Sequence, residues 1–207
     1  MRLFNFLRKT NDDFSQSGQD QFAYNISGLS GVYLEIGAHH PLLNSNTYNL
    51  ELLCNWRGVS IENDKSFKTN WDLSNRQNEV VWCDAFDINY SLLVKQKNLS
   101  NRFNYLSCDI EPAENTYNIL KKIINSGLNF DYISFEHDKY NIGDKYEKLS
   151  VNFLNENNYK IAIKDVYSRN KKNKIFETWF VHKKVNFEEM KYDEWKKKFY
   201  SDNKFKL

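Results

Sequence analysis

"VYLEIGAHHPLLNSNTYNLE", residues 32–51, decides the fold. Its opening, Val32–Ala38, reads as a buried strand running into a loop with one glycine, Gly37. From Ser45 the period changes: Thr47, Leu50 and Cys54 recur at intervals of three and four, and Ser45 is a plausible N-cap. A helix is therefore predicted over Ser45–Asn55. Strand, tight turn and helix together are how α/β proteins hold nucleotides. Yet the glycine-rich fingerprint is incomplete, because His39, His40 and Pro41 follow the lone glycine.

The same alternation continues outward. Further strands are predicted at Val59–Glu62, Val80–Phe86, Asn104–Ile110 and Asp131–Glu136, with helices at Lys65–Asn75, Tyr90–Lys97 and Pro112–Ser126 between them. In the last helix Tyr117, Leu120 and Ile124 share a face, and Asn125–Gly127 ends it. Alternating strands and helices imply parallel pairing with right-handed crossovers. A helix at Lys145–Asn157 then leads to "YKIAIKDVY" (159–167), a polar tract and "IFETWFVHK" (175–183), an antiparallel hairpin. The expected architecture is a seven-stranded, mostly parallel sheet closed by that hairpin, with helices on both faces.

Composition places few limits beyond this. The chain has 207 residues, enough for one domain with a core of its own. A formal net charge of +2 excludes a polyanion-binding surface spread over the whole chain, and no nucleic acid partner is expected. Cys54, Cys83 and Cys108 show neither metal nor redox spacing, which fits a reduced, cytoplasmic setting. The arm at residues 1–14 has too short an apolar run for a signal peptide, and no stretch approaches a membrane span. The segment 186–207 reads as a helix and tail with Tyr192, Trp195 and Phe199 on one face and a basic run at Lys196–Lys198. It either docks on the core or forms a lip beside an acceptor.

The chemistry is carried by acids at successive strand ends. Glu35 precedes Gly37, Glu62 follows the glycine by roughly 25 residues, near the offset of a ribose-binding acid, and Asp84 ends the third strand. A carboxylate accepts both ribose hydroxyls, and one at the third strand accepts from an adenine amino group. The loop itself is a poor diphosphate cradle, since Pro41 lacks a donor and Glu35 repels phosphate. An acid here suits a cationic ligand. S-adenosyl-L-methionine combines adenosine with sulfonium and ammonium centres, and is the expected cofactor.

The ordered motifs resemble those of FkbM-type methyltransferases, within the class I S-adenosylmethionine-dependent superfamily. "SQSGQDQFA" (15–23) is similar to the family's Ser-Gln-x-Gly-Glu-Asp opening. "YLEIGAHHPLLNSNTYNLE" resembles Val-Asp-Ile-Gly-Ala followed by Ser-Asn-Thr-x-x-Leu-Glu. "WRGVSIEND" (56–64) resembles Gly-Trp-x-Gly-x-x-Ile-Glu-Pro, and "FNYLSCDIEPAENTYNIL" (103–120) resembles Asp-Tyr-Leu-Ser-x-Asp-x-Glu-Gly-x-Glu. "DYISFEHDKYN" and "LNENNYKIAIKDV" match the later strand and the start of the hairpin. The departures are His39-His40-Pro41 for Asn-Asp-Gly, Pro112 for glycine, Asn63 for proline and Gln19 for glutamate.

The resemblance implies a single methyltransferase domain that methylates a hydroxyl of a sugar, glycan or other small molecule. It places Glu35, Gly37, Ala38 and His39 at the methionine end of the cofactor, Glu62 at the ribose and Asp84 at the adenine. Gln16, Gln19 and Asp20 close over the cofactor, and His40, Asn46, Thr47 and Glu51 face the acceptor, with helix-start capping as the plainer role of Asn46 and Thr47. Asp109 is the expected base or acceptor-positioner, Glu111 its partner and His137 an alternate base. Asp109, Glu111 and Asp138 form a conceivable cation set, but nothing in their spacing demands one and no metal is expected. A fold that keeps the cofactor site without catalysis, and a nicotinamide-dependent oxidoreductase, are the competing functions.

Overall fold

Gly37, Glu62, Asp84 and Asp109 lie at the ends of four different strands, and the sheet order is what gathers them. The computed structural model describes residues 14–168 and 173–200. The expected arm before Phe14, part of the polar tract, the Phe199 side chain and the end of the C-terminal tail lie outside these residues. The chain runs α1 (Gln19–Ser27), β1 (Val32–Ile36), α2 (Tyr48–Cys54), β2 (Arg57–Glu62), α3 (Lys68–Asp72) and β3 (Glu79–Trp82). It continues α4 (Tyr90–Gln96), β4 (Arg102–Cys108), α5 (Ala113–Asn125), β5 (Asn129–Glu136), α6 (Lys139–Ile142) and α7 (Lys145–Glu156). The last elements are β6 (Tyr159–Tyr167), β7 (Ile175–His182), β8 (Met190–Lys191) and α8 (Tyr192–Trp195).

The sheet has eight strands in the order β3-β2-β1-β4-β5-β7-β6-β8. β1 to β5 pair in parallel, while β7 lies antiparallel between β5 and β6. The chain reverses direction across the sheet between β1 and β4, the switch point at which open α/β sheets leave a crevice. The eighth strand, β8, adds two residues beside β6 and was not expected. It is too short to carry a period. Helix α1 was not expected either, because its polar sequence "QDQFAYNIS" shows a weak apolar stripe.

Strand alternation divides the core between two faces. Leu34, Ile36, Leu106, Cys108, Ile133 and Phe135 pack on one face with Ile119, Leu120 and Ile123 of α5 and Leu154 of α7. Each such side chain, fully buried, contributes about 1.5–3 kcal/mol. Tyr33, Tyr105 and Tyr132 point to the other face, where Phe22, Trp179, Tyr192 and Trp195 join them. The Trp179 and Trp195 rings meet edge-on at 5.0 Å, and the Tyr192 hydroxyl donates to the Ser17 carbonyl at 2.6 Å. The C-terminal segment thus docks on the aromatic core through Tyr192 and Trp195.

Two predicted boundaries shift for local reasons. β3 stops at Trp82 because Asp84 caps a short turn, its Oδ1 accepting from the Phe86 amide at 2.8 Å. α2 begins at Tyr48 because the Ser45 hydroxyl takes the Tyr48 amide at 3.2 Å. None of the three cysteines is in a disulfide. Among the described residues no helix is long and apolar enough to cross a membrane.

Candidate functional site

The crevice at the switch point is a cavity of about 450 Å³. Gln16, Glu35, Gly37, Ala38, His39, Asn46, Glu62, Asp84, Asp109 and Glu111 all line it, together with Glu136. Gly37 sits at φ +79, with its amide and that of Ala38 donating to the Ile61 carbonyl at 3.0 and 3.1 Å. A Cβ at Gly37 would lie 1.7 Å from the Asp109 carbonyl oxygen. The glycine is thus required by the neighbouring strand β4, whereas the sequence suggested only close approach by a ligand.

The acids on the β2 and β3 side keep acceptor capacity. Glu62 closes β2 and takes the His39 amide on Oε2 and the Asp64 amide on Oε1, each at 2.7 Å. One carboxylate oxygen has about two lone-pair sites, so each retains one. Asp84 spends Oδ1 on its own turn. Asn46 donates to the Ser107 hydroxyl at 3.1 Å, while its own Oδ1, in a residue 7% exposed, has no partner. An orphaned acceptor on the wall of a cleft fits a ligand bearing an ammonium group.

Glu35 is set more deeply. Its Oε2 accepts from Ser60 Oγ at 2.6 Å and Thr47 Oγ1 at 2.9 Å, with Arg76 Nη2 at 4.0 Å. Burial raises its pKa, and the Arg76 guanidinium draws it partly back. Arg76 was not anticipated, because "SNRQNE" is an unremarkable polar loop. Its side chain is 1% exposed and pairs with Glu51 at 2.6 Å. It also donates to the Pro41 carbonyl and Ser45 Oγ at 3.1 Å, Tyr33 Oη at 2.9 Å and Thr47 Oγ1 at 2.8 Å. One guanidinium therefore ties the loop after β1 to α2, using the fixed donor fork that only arginine offers.

Several residues expected at the site are held elsewhere. Thr47 and Glu51 turn toward Arg76 instead of the cavity. Gln19 donates to Glu177 at 2.9 Å, and Asp20 binds Ser15 and Asn49, so of that trio only Gln16 reaches the cleft. His40 accepts the Leu42 and Leu43 amides on Nδ1, both at 3.1 Å. His137 is 0% exposed, with Nε2 at 3.1 Å from Thr178 Oγ1 and Nδ1 accepting from the Lys139 amide. Burial pushes its pKa down to about 3, and with both ring nitrogens engaged it is absent from the described cleft lining.

The β4 and β5 end is acidic. β4 ends at Cys108, so Asp109 and Glu111 lie beyond it and are not a same-face strand pair. Asp109 instead shares a hydrogen bond with Glu136, the last residue of β5. Burial is the main cause that raises the pKa of each above its ordinary value, and the nearby Asp138 adds to it. Glu111 is also raised, by burial and by the charges of Asp138 and Asp109. Glu136 was missed because in "DYISFE" it reads as an ordinary strand terminus.

No family model matches the chain, and no curated protein matches it in sequence. Its likeness is to solved structures. A proposed RNA methyltransferase from Pyrococcus horikoshii superposes with a TM-score of 0.53 at 14% identity, over 79% of this chain and 81% of that one. The fold is the Rossmann-like methyltransferase fold. Aeropyrum pernix fibrillarin, solved with natively bound S-adenosyl-L-methionine, gives 0.52 at 13% identity over 78% and 74% of the two chains. TrmK from M. capricolum, solved with S-adenosyl-homocysteine, gives 0.50 at 15% over 84% and 69%. At these identities the likeness is one of fold, and the chemistry has to be argued from the site.

Proposed function

We propose that this chain is an S-adenosylmethionine-dependent methyltransferase of the FkbM kind, acting on a hydroxyl of a sugar, glycan or other small molecule. One observation carries the reading: Glu62 and Asp84, at adjacent strand ends, line a single cleft with Gly37 and Glu35. Those are the positions suited to ribose hydroxyls, an adenine amino group and a cationic methionine end. The absence of lysine and arginine from the described cleft lining disfavours the diphosphate of a nicotinamide cofactor. The fold and the cofactors of its solved neighbours support the same assignment.

Bound there, the cofactor supplies an activated methyl group: the acceptor oxygen takes it as the carbon–sulfur bond breaks, leaving a neutral thioether. Alignment does most of the work of such a displacement. Glu62 and Asp84 fix the adenosine end, and the Asn46 carbonyl oxygen is an acceptor for the ammonium. Asp109 stands across the cleft as the group that positions the acceptor hydroxyl and takes its proton. The acidic β4 and β5 end, with Asp109, Glu111 and Glu136, repels a phosphate backbone. That lining favours a neutral hydroxylic acceptor over the RNA named for the Pyrococcus neighbour.

Calorimetry with S-adenosylmethionine tests the cofactor: the wild type binds and Glu62→Ala does not. Absence of binding by the wild type sinks the assignment. Methyl-labelled cofactor offered with sugars, polyketides and RNA tests the acceptor. Label in RNA alone overturns the hydroxyl-bearing small molecule, and cofactor binding without transfer to any acceptor favours the non-catalytic alternative.

A further inference from the structure

The acidic end of the cleft carries more negative charge than the chain offsets. Glu136 ends β5, and Asp138, two residues on, adopts the left-handed conformation at φ 50, ψ 38. The His137 and Asp138 amides both donate to the Phe176 carbonyl, at 2.7 and 3.1 Å, which fixes this turn against β7. Glu111 reaches the same point from the connection between β4 and α5. One carboxylate oxygen from each of Glu111, Glu136 and Asp138 lies within 4.8 Å of the others. Asp109 adjoins them through Glu136.

Among the described residues no lysine or arginine pairs with any of these four acids. Lys139, next in sequence, turns its ammonium to Glu147 at 2.8 Å and Asp165 at 3.9 Å. The second, independent observation is Asp138 itself. It is 5% exposed, and its Oδ1 has no hydrogen-bond partner. A buried carboxylate oxygen left without a donor is costly, and such groups are rare unless an ion or water satisfies them.

We propose that Glu111, Glu136 and Asp138 hold one hard divalent cation at the acceptor end of the cleft, and that this cation also coordinates the acceptor oxygen. All three ligands are oxygens, which selects magnesium, calcium or manganese over softer metals. Ligands about 2.4 Å from a common ion stand at most about 4.8 Å apart, and the three oxygens keep within that limit. Glu111 is exposed and Glu136 half-buried on the cleft wall, so the open coordination positions face the cavity. There a cation orients a hydroxyl and eases loss of its proton, with Asp109 beside it as the acceptor of that proton. The catalytic part of this proposal rests on the methyltransferase reading; the binding of the ion does not.

The full chain, stripped with chelator, is titrated with Mn²⁺ while the free ion is followed by electron paramagnetic resonance and thermal stability is recorded alongside. The wild type binds one equivalent and melts at a higher temperature with Mn²⁺. Glu136→Gln, Asp138→Asn and Glu111→Gln each weaken binding by at least about tenfold. Because Glu111 is exposed, Glu111→Gln gives its answer even if the Asp138 variant fails to fold. No stoichiometric binding by the wild type, or unchanged binding by Glu111→Gln and Glu136→Gln, overturns the proposal. Calorimetry of the stripped protein with S-adenosylmethionine separates the two claims. Cofactor binding without Mn²⁺ binding removes the cation alone, and Mn²⁺ binding without cofactor binding removes the methyltransferase reading alone.

Discussion

Replacing Arg76 with methionine tests whether one buried guanidinium holds the cleft wall in place. The arginine side chain is 1% exposed and its partner Glu51 is 8% exposed, so neither charge is hydrated. Methionine keeps an unbranched apolar stem but removes the guanidinium, whose carbon lies 4.7 Å from the Trp71 ring centre. What is lost is the Glu51 ion pair, the charge facing Glu35, and four donations to Pro41, Ser45, Tyr33 and Thr47. Removing one member of a buried pair costs about 3–5 kcal/mol, because the other is left as an uncompensated charge. Against a total stability of about 5–15 kcal/mol, that is a large fraction. The expected result is an unfolding free energy lowered by this amount, read as a lower urea midpoint at an unchanged slope, with weaker S-adenosylmethionine binding because the loop 38–46 loses its tether. Glu51→Gln supplies the internal control. In the Arg76→Met background it should cost less than alone, with a coupling energy of about 1–3 kcal/mol. A loss below about 1 kcal/mol for Arg76→Met, or strictly additive costs in the double variant, refutes the account.

Other substitutions separate steric from electrostatic effects. Gly37→Ala places a methyl group 1.7 Å from a backbone oxygen and should abolish folding. Gly127→Ala, at φ +85 with nothing within 4 Å, should cost only about 1–2 kcal/mol, and equal effects of the two in urea denaturation contradict the steric argument. Burial raises Glu177 from 4.5 to about 8, so the folded state favours its protonated form. Its contribution to stability is then complete below about pH 4.5 and is lost as pH rises through about 8. At about 1.4 kcal/mol per unit, the wild type should lose about 3–4 kcal/mol more than Glu177→Gln between pH 5 and 8. Parallel stability profiles for the two proteins would exclude a titrating Glu177.

What was legible in the sequence follows from what is local. The alternation of Leu34 and Ile36 with Tyr33, and the stripe of Leu120 and Ile124 on α5, are short-range periods, so strands, helices and their parallel order could be read directly. The strand-end acids were legible for the same reason, since Glu35, Glu62 and Asp84 each close a readable run. Pairings across the sheet were not. Asp109 and Glu111 look like a same-face pair only if β4 continues to Ile110, and it ends at Cys108. The structure pairs Asp109 with Glu136 and brings Glu111 to Asp138, contacts between the segments that follow β4 and the end of β5, with no sequence signature. Arg76 is the extreme case, because its partners lie 25 to 43 residues away in sequence.

His39-His40-Pro41, the sharpest departure from the FkbM pattern, is explained by conformation. His39 is at φ 48, a left-handed position that favours asparagine among non-glycine residues. Its amide binds Glu62, its carbonyl accepts from Trp71 Nε1 at 2.8 Å, and its ring lies 4.1 Å from that of Phe67. His40 uses Nδ1 to accept the next two free amides, the task an aspartate or asparagine oxygen performs in a turn. That task needs a neutral Nδ1, and burial with the neighbouring His39 lowers the His40 pKa in the required direction. Pro41, whose carbonyl accepts from Arg76, needs no amide there. Two histidines and a proline therefore hold this turn through their own donors and acceptors, and Ala38 and Glu62 line the cleft beside it. The departure carries no argument against cofactor binding, and the exposed imidazole of His39 lines the cleft.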